Sequence, residues 1–156
     1  MRQLIAKVWR ALPIPLRQRV IRLTQRTFTV GVSAVVLNDR NEILLLRHRF
    51  REGSGWELPG GFIKKDEDLE GTARRELAEE TGLDVQVLTI VAARLNKPHQ
   101  LDICFLARVI GGILHIDRTE IHDARFFAGA DLPSTLEPDQ MRNISLALQR
   151  TDDFSR

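Results

Sequence analysis

Cysteine is nearly absent from this 156-residue sequence: Cys104 stands alone, in the apolar run Ile103-Cys104-Phe105-Leu106. A single thiol excludes an internal disulfide, and its neighbours predict a small buried hydrophobe rather than a nucleophile. A reducing, cytoplasmic setting is the matching expectation. No apolar stretch approaches the ~20 residues that a bilayer-spanning helix needs. The first residues also lack the continuous apolar region and small-residue cleavage site of a secretory signal. Internal repeats, low-complexity linkers and domain boundaries are missing too. What remains, 43% hydrophobic and 28% charged, is the composition of an ordinary globular domain long enough to bury a substantial core.

Acidic residues are missing from one segment. Residues 1–26 carry Arg2, Lys7, Arg10, Arg17, Arg19, Arg22 and Arg26 with no Asp or Glu, so they stand at +7 while the whole chain is only +2 and its remainder −5. The pI near 9.1 is therefore a local property and does not mark a nucleic-acid-binding protein. Leu4, Ile5, Val8, Trp9 and Leu12 follow the helical period, and Leu16, Val20 and Leu23 continue it less cleanly beyond a break near Pro13 and Pro15. One expectation for this face is packing on its own domain or on a second subunit, as in a homodimer. The other is a peripheral contact with an anionic membrane or nucleic acid. Packing is preferred, because the segment supplies neither base-reading residues nor a deep anchor, and no stable nucleic-acid complex is expected. Residues 27–150 form the main domain and 151–156 a tail.

Strand signals begin at Thr27, where Phe28, Val30, Val32, Ala34 and Val36 alternate with Thr29, Gly31, Ser33, Val35 and Leu37, a long strand buried largely on both faces. The turn cluster Asn38-Asp39-Arg40-Asn41 leads into Ile43–Leu46, a hairpin or return strand. If Arg47-His48-Arg49-Phe50-Arg51 stays extended, Arg47, Arg49 and Arg51 share a side and could hold phosphates. Solvated loop arginines are the alternative. A turn over Glu52–Gly55 and a short strand over Trp56–Leu58 follow. Strands are expected at 84–95 and 101–109, and Pro138 opens a last helix with Met141, Ile144 and Leu148 on its apolar face.

The stretch Gly61–Leu83 is the most specific. Glu76, Glu79 and Glu80 are spaced i, i+3, i+4, so a helix gathers three like charges on one face. A solvated acidic face is the commoner fate of such a cluster, and a bound hard cation such as Mg²⁺ is the functional alternative. Leu69, Ala73 and Leu77 form a separate buried stripe, Asp66 is a candidate N-cap and Gly82 a candidate left-handed stop.

Written out, the stretch is G-x5-E-x7-R-E-L-x-E-E-x-G-L, nine specified positions in 23 residues without a departure, preceded by Leu58-Pro59-Gly60. It resembles the signature box of the Nudix hydrolases. The resemblance implies an α+β fold, the Nudix-type α/β/α sandwich with a central mixed β-sheet. It also implies hydrolysis of the pyrophosphate link in a nucleoside diphosphate joined to another group, with Mg²⁺ (or Mn²⁺) as cofactor. Carried over, Glu76, Glu79, Glu80 and the Gly60 carbonyl are metal ligands. Glu67 and Arg75 pair to orient them, and Gly61 and Gly82 set the turns. Glu120 precedes an aromatic pair and a Leu-Pro, where many members place an additional metal-binding or catalytic glutamate. Phe126 stands where the first aromatic is commonly Trp. The general base is one of Glu79, Glu80 or Glu120.

Pro98, 15 residues after Leu83, resembles the proline marker of ADP-ribose pyrophosphatases, whereas the absence of tyrosine removes the marker of the diadenosine polyphosphate subgroup. Residues 44–61 do not match the extended motif of the coenzyme A subgroup. ADP-ribose or a nucleotide sugar is the leading substrate. Trp56, Phe28, Phe50 and Phe126 are candidates to stack on a base, though each is more often a core residue. A (d)NTP pyrophosphohydrolase is the alternative enzyme, and a nucleotide sensor that has lost catalysis is the alternative of another class.

Overall fold

The structure, a computed structural model, describes residues 2–24, 26–50 and 55–151. Arg51, the turn residues 52–54 and the tail from Asp152 lie outside that range. Two helices come first, α1 (Arg2–Ala11) and α2 (Ile14–Thr24), separated at Pro13. The strands β1 (Thr29–Leu37), β2 (Ile43–His48) and β3 (Gly60–Phe62) precede helix α3 (Leu69–Thr81). After it come β4 (Leu83–Lys97), β5 (Gln100–Gly112), β6 (Ile121–Phe127) and helix α4 (Pro138–Arg150).

The strands form one mixed sheet in the order β4-β5-β1-β2-β6, with β3 beside β1. β1 runs parallel to β5 along its whole length, Thr29 opposite Gln100 to Leu37 opposite Arg108, and the other pairs are antiparallel. β1 therefore has two partners on one edge. β2 meets it only at Leu37–Ile43, and β3 takes the other end, from Gly31–Phe62 to Ser33–Gly60. That fork brings the loops after β2 and β3 to the same place. Asn38 secures the β1–β2 turn by accepting from the N–H groups of Arg40 and Glu42 at 2.9 and 3.0 Å.

Alternation along the strands sorts the core into two layers. Val32, Ala34, Val36, Leu44 and Leu46 face α3, where Ala73 and Leu77 are buried and Leu69 packs at the edge. Val35, Leu37, Ile43 and Leu45 face α4, which supplies Ile144 and Ala147. The two-helix sandwich around a mixed sheet is the architecture expected from the sequence. Cys104 is buried in the second layer, and burial raises its thiol to about 11, in keeping with a packing role.

Several local expectations change. Asp68, not Asp66, caps α3, its carboxylate accepting from the Gly71 N–H; Asp66 instead takes a positive φ of 67° in the preceding turn. Trp56–Leu58 makes no strand, only a single bridge from Glu57 to Leu46. Ala147 replaces Met141 on the buried side of α4, and Met141 is exposed because it falls one turn nearer the helix end. β4 and β5 overrun their expected ends and meet through a two-residue turn, Pro98-His99. In α2 no residue is buried, and only Arg17 and Val20 are half-buried.

Leu77 sits at 1% exposure between α3 and the sheet. Leu77→Ala should lower the unfolding free energy by about 2–5 kcal/mol, measured by urea denaturation.

Candidate active site

α3 begins where Asp68 caps it and ends at Gly82, whose φ of 68° lets its N–H reach the Ala78 carbonyl at 3.0 Å. Between these stops, helical spacing separates the carboxylates from the Ala73–Leu77 stripe but does not treat them alike. Glu79 is exposed, Glu76 half-buried and Glu80 buried at 6%.

Arg75 holds the outer part of the cluster together. Its guanidinium grips Glu67 with two hydrogen bonds, Nε to Oε1 at 2.6 Å and Nη2 to Oε2 at 3.0 Å. Nη1 lies 2.8 Å from Glu76 and 2.9 Å from Glu79, and Nη2 also donates to the Phe62 carbonyl at 3.2 Å. Glu67 accepts further bonds from the Lys64 N–H and the Thr72 hydroxyl. The Arg75 guanidinium, then these donors, hold the Glu67 carboxyl down to about 2, while Glu67, then Glu76 and Glu79, push Arg75 further up. Lys64 adds a second cation, 3.6 Å from Glu79.

Glu80 is held separately. One oxygen accepts from the Gly60 N–H at 3.2 Å, and the other lies 3.9 Å from Nε2 of the buried His48 at the end of β2. The Gly60-Gly61 pair is what permits this approach. Gly60 has φ 152°, and a Cβ there would strike the Val32 carbonyl; a Cβ on Gly61 would strike the Glu76 carboxylate.

Glu120 reaches the same place from a loop 40 residues on. Its carbonyl accepts from the Arg49 N–H at 2.9 Å, and its N–H donates to the Asp117 carbonyl. Asp117 in turn donates its N–H to the Glu80 carbonyl at 3.2 Å, tying the loop to α3. The Asp117 carboxylate accepts from the N–H and hydroxyl of Thr119, which lower its pKa and brace the turn. His48, Phe50, Lys64, Glu76, Glu80 and Glu120 thus line one cleft of about 480 Å³, floored by Gly60–Phe62.

A second cleft of about 630 Å³ opens on the other side of Gly60–Phe62, against α4. Its walls carry Glu57, Arg94, Asp102, Asp139, Gln140 and Asn143. Arg94 bridges Asp139 at 2.9 Å and Asn143 at 3.0 Å, and Gln140 accepts from the Leu58 N–H at 2.8 Å, so α4 is pinned to the strands that frame the opening. The two clefts share Gly60, Gly61 and Phe62.

The NUDIX domain model matches residues 27–148. The chain belongs to the Nudix family. It is similar to the human 8-oxo-dGDP phosphatase NUDT18, 32% identical over 88% of this chain and 42% of that protein. It is equally similar, at 32%, to the NAD-capped RNA hydrolase NudC of Pectobacterium carotovorum, over 67% of this chain and 40% of that one. The chain thus spans about two fifths of the length of these curated relatives. Among solved structures, an ADP-ribose pyrophosphatase of Streptococcus suis superposes with a TM-score of 0.66 at 27% identity, covering 80% of this chain and 92% of that one.

Nudix proteins are associated with divalent cations, and the carboxylates of Glu76, Glu80 and Glu120 that line this cleft are the oxygen donors a hard one takes. Gly61 leaves room beside the Glu76 carboxylate that a Cβ would take, a second feature that fits. Among the described residues no three His, Cys, Asp or Glu side chains already converge as a ligand set. Glu79 is turned to Arg75 and Lys64 instead.

The residues anticipated as substrate contacts are distributed differently. Arg47 lies with Arg125 over Trp56, at 5.8 and 5.6 Å from the ring centroid, and Trp56 meets Phe127 edge-on. That group packs against the α4 layer, and neither Arg47 nor Trp56 lines either cleft. Arg49 is exposed and contributes a backbone bond to the Glu120 loop. Phe126 packs against the α3 layer, Phe28 sits near His99, and Phe50 is exposed at the carboxylate cleft. Sequence reasoning had not assigned His48 or Lys64 to the site. The period-2 pattern of Leu44, Leu46 and His48 was the available signal for the first.

Glu67 has its folded pKa lowered, so its contribution to stability is complete above its ordinary value of 4.5 and is lost as pH falls toward about 2. Wild type should therefore exceed Glu67→Gln in unfolding free energy by a constant margin above pH 4.5, and the margin should shrink as pH falls below that value. Urea titrations of both proteins across that window measure it.

Proposed function

We propose that the protein hydrolyses the pyrophosphate bond of a nucleoside diphosphate derivative, with a divalent metal ion, Mg²⁺ or Mn²⁺, held by Glu76, Glu79, Glu80 and the Gly60 carbonyl. The observation that carries the reading is the pair of clefts meeting at Gly60–Phe62, one lined by carboxylates and the other by amides, carboxylates and Arg94. The diphosphate belongs in the first and the nucleoside in the second.

When bound, the ion neutralises diphosphate oxygens and makes a coordinated water more acidic. The chain's own residues supply the rest. Arg75, anchored by Glu67, lies beside Glu76 and Glu79 and lowers their mutual repulsion, making it a positioning residue. Lys64, at the cleft wall, offers a cation to phosphate oxygens. His48 and the Gly60 N–H fix the rotamer of Glu80. A carboxylate of Glu79, Glu80 or Glu120 accepts the proton of the attacking water. Glu80 is buried and doubly held, whereas Glu120 is exposed on a braced loop, so Glu80 suits ligation and Glu120 proton transfer.

ADP-ribose or a nucleotide sugar is the first substrate class, supported by the size of the second cleft and the likeness to an ADP-ribose pyrophosphatase. An oxidised purine nucleoside diphosphate is the second reading, favoured by the 8-oxo-dGDP phosphatase relative and by the carboxylates and amides facing that cleft.

A phosphate-release panel with Mg²⁺ over ADP-ribose, nucleotide sugars, oxidised and ordinary (d)NDPs and (d)NTPs, and capped RNA should show turnover concentrated in one of these classes. No turnover anywhere would leave the nucleotide-sensor reading in its place. Glu80→Gln should lower kcat by roughly 10²–10⁴ with the thermal unfolding transition retained. Undiminished, metal-independent activity of that variant would remove the metal assignment.

A further inference from the structure

We propose that α1 and α2 form a docking surface for an anionic lipid bilayer. Two observations carry this, one of shape and one of charge. α2 buries none of its residues, and it leaves Leu23 81%, Ile14 67%, and Leu16 and Ile21 each 46% exposed. Leu16, Val20 and Leu23 recur at i, i+4 and i+7, so they form one stripe, with Arg19 and Arg22 on the adjoining stripe.

Every charged residue described on the two helices is cationic, including exposed Lys7, Arg10, Arg19 and Arg22. Arg17 is used internally: its guanidinium donates to the Leu12 and Arg10 carbonyls at 2.7 and 2.6 Å, closing the end of α1 onto α2. The helices are thereby joined at Arg17. An apolar stripe flanked by arginines, on a helix too short to cross a bilayer, is suited to lie in the headgroup plane. The arginine stems bury alongside the leucines while their charges stay with lipid phosphates.

Charge also separates this occupant from its competitors. Symmetric pairing of the segment with a second copy would bring together two groups of seven cations with no acidic residue between them. RNA would meet the same cations but only one aromatic side chain, the half-buried Trp9, on which to stack. An anionic bilayer complements both the cations and the exposed leucines. The surface is independent of the hydrolytic reading.

Co-sedimentation of the whole protein with phosphatidylcholine vesicles, with and without phosphatidylglycerol, tests it. Binding should appear with the anionic vesicles and weaken as salt rises. Arg19→Glu with Arg22→Glu should reduce it by at least about tenfold, and Leu16→Asp with Leu23→Asp should do likewise. Thermal unfolding of both variants should match wild type, because these side chains are exposed. Failure to sediment with anionic vesicles overturns the proposal, as does sedimentation that both double variants leave unchanged. A fall in oligomeric mass in the variants, or RNA binding without vesicle binding, overturns it in favour of a second copy or a nucleic acid.

Discussion

Crowding of like charge on α3 is the constraint that the site is built to meet. Three glutamates within five residues repel one another, and the helix retains them because Arg75 stands beside two and Gly60 and His48 beside the third. Arg75 is itself positioned by Glu67, two residues before α3 begins at Leu69, so the loop before α3 and the helix are locked by one guanidinium. Removing that cation would leave several partly shielded carboxylates without compensation, which costs far more than an ordinary surface pair is worth. The division of labour has a consequence for geometry. Glu80 is already fixed toward the sheet, while Glu79 is held outward by Arg75 and Lys64 and can turn inward only by giving up those contacts.

The forked pairing of β1 explains why these carboxylates face a cleft at all. β2 pairs with β1 at one end and β3 at the other, so β2's last residue, His48, and β3's glycines converge over α3. A continuous β1–β2 ladder would fill the space that Gly60–Phe62 now occupies. β3 also separates the carboxylate cleft from the polar cleft against α4. A diphosphate derivative that spans both would therefore cross the Gly60-Gly61 backbone beside the exposed Phe62 side chain.

Legibility in the sequence followed the range of the interactions. The layers were readable because alternation and helical period are local, and α3's leucine stripe, its glycine stop and its glutamates all came from short spacings. Asp66 and Asp68 both fit a cap by sequence; a positive φ at Asp66 moves the role to Asp68. The arginines after β2 were harder. A register shift between Arg47 and His48 ends the regular alternation, leaving Arg47 over Trp56 on the α4 side and Arg49 in a backbone role near Glu120. The polar cleft could not be read at all, since Arg94 finds Asp139 and Asn143 across 45 and 49 residues, and no local pattern announces that meeting.

The same distinction of range applies to charge. Within the sheet domain, cations are consumed at short distance by partners that position them, as Arg75 is by Glu67 and Arg94 by Asp139. Among the described residues of α1 and α2 only Arg17 is so used, and it is satisfied by carbonyls rather than carboxylates. A segment at +7 attached to a remainder at −5 would be expected to fold back on the acidic body if Coulomb attraction alone decided. At physiological ionic strength that attraction is screened within about 8 Å, and α2 buries none of its residues. Short-range apolar contact would be needed to fix the segment to the domain, and α2's leucines make no buried contact there. An interface that offers apolar depth and anionic charge at once satisfies both halves of the helix, which the surface of its own domain does not.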